Sequence, residues 1–207
     1  MKNTLVLEDS LHDAMRDLTF GFILPRGLAA KPTDKLEEYA ANGPSDDGRA
    51  AEVAWWRKYA LDGVSPDQAR QAFQRYTDAF QGLEDRLSDG RQFLCGDHMT
   101  IADIAWVVNI NRMDLCGYPM RRFPLLNTLF TQLRARASFQ AAFELEMPMP
   151  VFRRAYQSYQ WLTGSTLVDI AEARIRKSKL GCWNDSEDLK IEDETMEAVD
   201  EAHASET

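Results

Sequence analysis

Few side chains in this sequence stand at spacings that chemistry requires. Cys95 and His98 form a Cys-x-x-His pair, the near half of a zinc site. Such a site needs about four ligands and no second pair is nearby, so a loop cysteine and a loop histidine are the expectation, and no metal. His12 has the side chain for proton transfer and lies close to Asp13 and Arg16. A lone histidine with no partner to orient it is expected to be solvated on the polar side of its helix. Trp55 and Trp56 would suit stacking on single-stranded bases only over a basic groove, which Arg57 and Lys58 alone do not make. They are expected to pack or to meet a partner. Cys116 reads as a buried small residue. Cys-x-x-Cys, His-Glu-x-x-His, Gly-x-Gly-x-x-Gly and Gly-x-Ser-x-Gly are all missing. No catalytic set emerges from these residues.

The sharpest local pattern is structural. In "CGDHMTIADI", Cys95 to Ile104, Thr100 and Asp103 are three residues apart just before an apolar run. Thr100 at an N-cap accepts from the backbone N–H of Asp103, and Asp103 reaches back to the N–H of Thr100, a capping box with Asp in place of Glu or Gln. Met99 and Ile104 have the spacing of a hydrophobic staple. Inside a core an unpaired amide costs about 1 to 3 kcal/mol, so a helix beginning there needs such a cap.

The elements that carry these residues read as helices. Leu11, Met15, Leu18 and Phe22 stack on one face of a helix ending before Pro25. A short helix is expected from Thr33 to Ala41 and another from about Asp46 to Leu61. Ser65, Pro66 and Gln68 open a long one whose apolar residues Ala69, Phe73, Tyr76, Phe80, Leu83 and Leu87 keep helical spacing to about Gly90. The segment from Thr100 to about Cys116 is apolar nearly all round and belongs in the middle of the fold. Further helices are expected at Phe123 to Arg136, Ser138 to Glu144, Pro150 to Leu162 and Ser165 to Lys179. Alternating strands and hairpin signals do not occur, which predicts an all-α domain.

Bulk properties narrow the class. With 44% apolar residues, 207 residues can fill a core. Three scattered cysteines, an odd number, and no signal pattern suit a reducing, cytoplasmic setting. No apolar run approaches the roughly 20 residues needed to cross a bilayer. The net charge of -9 lies in the last 26 residues: Cys182 to Thr207 hold ten of the 33 acids and one of the 24 bases, leaving 23 of each in residues 1–181. A neutral body has no long-range field to gather phosphate backbones, which argues against nucleic acid. Residues 182–207 read as an acidic, disordered tail, or a docking segment for a basic partner.

The stretch "FLCGDHMTIADIAWVVNINRMDLCGYP" resembles the central helix of the C-terminal domain of cytosolic glutathione transferases, where Leu-x-Gly-x-x-x-Ser/Thr-x-Ala-Asp recurs. Leu94, Gly96, Thr100, Ala102 and Asp103 match that pattern here. "RRFPLLNTLFTQLRARASFQAAF" is similar to the element that follows, with Arg136, Ser138 and Phe139 in place and Ala137 where the family usually has proline. The resemblance covers about residues 8–145. It implies a multi-helix bundle of the glutathione transferase C-terminal type over residues 1–181. It also implies a site for an apolar electrophile between the first and central helices, with Arg16 and Phe20 on the first and Trp106, Asn109 and Arg112 on the second.

The same resemblance says what these residues do not encode. There is no room for a βαβ unit before Leu11, no cis-proline loop, and no Glu-Ser pair to hold the γ-glutamyl end of glutathione. The expectation is therefore a detoxification-type transferase fragment that offers the substrate wall and no catalytic residue. Glutathione would enter as co-substrate only with a thioredoxin-like domain supplied. The expected partners are a second copy of the chain, giving a homodimer, or a chain carrying that domain. An exposed apolar face on the first and central helices is expected as well. The alternatives are a non-catalytic helical interaction module and a small-molecule carrier.

Overall fold

The computed structural model of this chain describes residues 2–42, 48–146 and 150–172, with side chains outside 144–150. Two compact units divide it, Met1–Ile170 and Ala171–Thr207, and only residues 171 and 172 of the second are described. The expected acidic tail and the end of the expected 165–179 helix lie outside the described residues.

Among the described residues the secondary structure is helical, with no strand beyond a single bridge between Phe93 and Gly96. The helices are α1 (Lys2–Asp9), α2 (His12–Phe22), α3 (Arg26–Ala29), α4 (Thr33–Ala41), α5 (Arg49–Asp62), α6 (Pro66–Leu87), α7 (Ile101–Leu115), α8 (Pro124–Arg134), α9 (Ala137–Glu146) and α10 (Pro150–Thr163). Residues 167–172 are helical too. The fold is all-α, as the periodicities predict. None of the described helices is long and apolar enough to cross a membrane.

The long α6 is the backbone of the core. Ser65 accepts from the N–H of Gln68 at 3.2 Å, and the Gln68 side chain accepts from the N–H of Ser65 at 3.2 Å, so the capping box expected from Ser65, Pro66 and Gln68 is formed. Its stripe of Phe73, Tyr76, Phe80, Leu83 and Leu87 is buried. Leu11 at the cap of α2 and Ala14, Leu18 and Phe22 within it are buried as well, and α2 packs along α6. Phe80 lies at the centre, with ring centroids 6.2 Å from Trp106, 5.3 Å from Tyr118 and 5.6 Å from Phe123. Full burial of such a side chain stabilises by about 1.5 to 3 kcal/mol. Glu84 caps α8 from α6, its two carboxylate oxygens accepting from the N–H groups of Leu125 at 2.9 Å and Leu126 at 2.8 Å.

The central helix α7 begins as the sequence requires but with more work for Asp103 than a local box gives it. One oxygen accepts from the N–H of Thr100 at 2.7 Å and from its hydroxyl at 2.8 Å, while the other accepts from the N–H of Leu94 at 2.8 Å. Asp103 has 0% exposure. It therefore fastens the loop of residues 94–100 to the helix as well as capping it. The expected staple is not in the core, because Met99 is half-buried and Ile104 is 43% exposed. At the other end Gly117, with φ of 81°, closes a Schellman motif: its N–H donates to the Asp114 carbonyl at 3.0 Å and that of Tyr118 to the Met113 carbonyl at 2.9 Å. Ala137 is the first residue of α9, a position where proline is tolerated for lack of an amide partner, and alanine serves equally.

Helices α1 and α3 carry no apolar period that reveals them. In α1 the buried residue is Thr4, whose carbonyl accepts from Trp106 Nε1 at 3.0 Å and whose hydroxyl accepts from Arg86 at 3.2 Å. Replacement of Asp103 by alanine leaves three donors without their acceptor, two of them backbone amides, and should lower stability by about 2 to 4 kcal/mol. Chemical denaturation of Asp103→Ala and the parent checks this; equal midpoints would refute the role of the carboxylate.

Candidate functional site

Helix α2 supplies most of the wall of a cleft. His12, Met15, Arg16, Thr19, Phe20 and Ile23 recur at helical spacing along it. With Leu24, Glu52 of α5 and Arg112 in the last turn of α7 they line a cleft of about 390 Å³. Its floor is apolar and its rim charged, the usual make-up of a small-molecule site.

Phe20 is held by an aromatic cluster built from α5. Its ring centroid lies 4.7 Å from Trp56, 5.6 Å from Trp55 and 5.9 Å from Tyr59, and Trp55 stacks on Tyr59 at 5.1 Å. The Tyr59 hydroxyl donates to the Phe20 carbonyl at 2.9 Å. Burial pushes that hydroxyl up to about 12, so it stays a neutral donor. Leu36 of α4 completes the cluster. Two cations sit over it, Arg16 at 5.3 Å from the Trp55 ring and Lys31 at 4.5 Å from the Trp56 ring. Trp55 and Trp56 thus pack, as the absence of a basic groove suggests.

Two carboxylates behave oppositely here. Partial burial pulls Glu52 upward, but donation from Tyr39 at 3.0 Å and Trp56 at 3.3 Å, with the Lys31 ammonium at 3.7 Å, outweighs it and leaves its pKa lowered. Asp17 accepts from Trp55 Nε1 at 3.0 Å, yet burial prevails over that bond and its pKa is raised.

The structure brings Arg16, Phe20 and Arg112 around one cleft. Trp106 and Asn109 are outside its lining. Trp106 is wholly buried against Phe80 and donates to Thr4. Asn109 accepts from the Tyr76 hydroxyl at 2.7 Å and donates to Glu8 at 2.6 Å and to the Ala105 carbonyl at 3.3 Å, so its amide is engaged within the fold. Arg112 approaches the Met15 sulfur at 3.4 Å. Met15 and Thr19 were within reach of the helical period through Arg16 and Phe20, whereas nothing in the sequence ties Glu52 to α2. Cys116 is buried against the Leu18 carbonyl at 3.4 Å, and burial pushes its thiol far up, away from reactive thiolate character.

The raised pKa of Asp17 has a definite pH signature. Its protonated form favours the fold, so that contribution is complete below the ordinary value of 3.8 and is lost as pH rises through the raised one. Asp17→Asn keeps an acceptor for Trp55 without the charge, and its melting temperature should exceed that of the parent at pH 7 and converge with it below the ordinary carboxylate range. Melting curves across pH test this; a gap that is constant with pH refutes it.

Residues 66–146 match the family model of the glutathione S-transferase C-terminal domain. The matched span runs from the first residue of α6 to the last of α9, and of the cleft residues it contains Arg112 alone. No curated protein and no solved structure matches the chain. The all-helical packing and the Asp103-capped central helix agree with this match, which likens residues 66–146 to a glutathione S-transferase C-terminal domain.

Proposed function

We propose that this chain supplies the apolar-substrate wall of a glutathione S-transferase-type site. The observation that carries the reading is the cleft between α2, α5 and the end of α7, with a fixed aromatic floor at Phe20 and guanidinium groups at Arg16 and Arg112. An electrophile resting on Phe20 takes negative charge when a thiolate adds to it, and nearby cations favour that charge in a partly dry site. The sulfur of glutathione would form the new bond to carbon, its thiolate held by a thioredoxin-like domain. That domain comes from a partner or from sequence outside these 207 residues. A reducing, cytoplasmic location suits the unpaired Cys95 and Cys116.

A partner is favoured by the apolar side chains left in solvent. Val6 is 60% and Ile101 61% exposed, on the neighbouring helices α1 and α7. On α10, Val151, Trp161 and Leu162 are each 75% exposed, which supports the second reading, a helical interaction module without turnover.

The purified 207-residue chain, given glutathione and 1-chloro-2,4-dinitrobenzene, should conjugate no faster than the uncatalysed reaction. Turnover by the chain alone would overturn the division of labour proposed here. In light scattering it should self-associate as concentration rises, and Ile101→Lys should reduce that association; a parent that stays strictly monomeric at high concentration counts against an uncovered interface.

A further inference from the structure

A helix on the surface of a bundle ordinarily buries its apolar stripe and shows its polar side to water. Helix α10 does the reverse. Its buried residue is Gln160, and Arg153, Tyr156 and Gln157 are half-buried beside it. Gln157 donates to the Leu115 carbonyl at the end of α7 at 2.7 Å, and Tyr156 hydrogen-bonds Gln160. On the other side Val151, Trp161 and Leu162 are three-quarters exposed, and Phe152 and Tyr159 more than half. Val151, Ala155, Ser158 and Leu162, all exposed, follow one another at four, three and four residues, the period of a coiled-coil seam. Phe152 and Tyr159 flank that seam on one edge, Arg154 and Trp161 on the other. Arg154, Trp161 and Leu162, with Gln157 and Ser158, line a shallow hollow of about 550 Å³. No acid stands between Glu146 and Asp169.

From this arrangement we infer that α10 is a homodimer interface, pairing antiparallel with α10 of a second copy about a twofold axis at the level of Tyr156 and Gln157. The inference rests on the interaction-module reading, for which it names the partner, and is independent of the substrate wall. The twofold sets Val151 of each copy against Leu162 of the other and Ala155 against Ser158, so the small residues meet where the helices come closest. Like edges face each other across an antiparallel pair. Arg154 of one copy therefore comes beside Trp161 of the other, in the hollow, and Phe152 beside Tyr159; these cation–π and aromatic pairs are each made twice. The bare parts of the three aromatic side chains, of Val151 and of Leu162 amount to on the order of 600 Å², close to the roughly 800 Å² that each partner gives to a stable interface. A lipid surface fits less well, because an interfacial helix needs a strongly charged polar face, and here the polar face is Gln and Tyr turned into the bundle. One exposed arginine gives an acidic peptide little to hold, whereas the seam matches itself.

Sedimentation velocity of the full 207-residue chain should show a dimer. Ala155→Glu, at an exposed position in the middle of the seam, should weaken the dimer roughly tenfold or more without loss of helical content. Ile101→Lys should limit growth beyond the dimer and leave the dimer itself. Orientation is read by disulfide trapping in a Cys95→Ser, Cys182→Ser background. Val151→Cys chains mixed with Leu162→Cys chains should cross-link under mild oxidation, and neither variant should do so alone, since like positions lie about 16 Å apart along an antiparallel pair. Cross-linking of either variant with itself and not in the mixture overturns the antiparallel seam. An association that Ile101→Lys abolishes and Ala155→Glu leaves untouched overturns the α10 interface while the interaction-module reading stands. A monomeric parent that binds phosphatidylserine vesicles, and loses them with Ala155→Glu, overturns it in favour of a lipid surface. A parent that stays monomeric and binds no vesicle overturns both the interface and that reading.

Discussion

The carboxylate of Asp103 is the tie on which the central helix depends. It is removed from water and accepts from three donors, two on Thr100 and one on Leu94. Those bonds fix where α7 starts and how the preceding loop meets it. Everything further along α7 inherits that placement, including Trp106 at the core centre and Arg112 at the cleft. The Schellman turn at Gly117 fixes the other end, so the helix has a defined register as well as a position. Cap and turn are local devices, yet here they set the geometry between distant parts of the chain.

Helix α2 links that core to the cleft because it is apolar on one side and mixed on the other. Leu18 and Phe22 are buried and α2 packs along α6, which fixes the rotation of α2 about its own axis. With that rotation Arg16, Thr19 and Phe20 line one cleft with Glu52 of α5 and Arg112. The aromatic cluster around Phe20 then holds the floor in one conformation, since edge-on and tilted ring contacts have narrow geometry. Rigidity at the site is thus a by-product of core packing rather than of any motif within the site.

Polar contacts finish what apolar packing begins. Asn109, Tyr76 and Glu8 form a chain of hydrogen bonds that, with Trp106 and Thr4, fastens α1 to the bundle. Each group is buried or half-buried and satisfied, so the network specifies one seat for α1. Asn109 and Trp106 follow the same logic: by the resemblance they would face a substrate, while in the fold they bond to or pack on α1 and α6. Helices α2 and α7 do lie side by side, and the inward seat of Trp106 and Asn109 is set by partners more than a hundred residues away in the chain.

The sequence by itself determined the helical class, the α6 stripe, the cap at Ser65 and the start of α7, because each depends on residues within a few positions of one another. Local spacing is also what made Leu94, Gly96, Thr100, Ala102 and Asp103 legible as a family pattern. Only the tertiary structure decided that α1 exists as a packed helix, since its anchoring groups are polar and their partners lie on α6 and α7. It likewise decided that Arg16, Phe20 and Arg112 share a cleft with Thr19 and Glu52. Which residues meet across helices follows from the rotation and crossing of whole elements, a sum of many weak contacts that no short stretch of sequence contains.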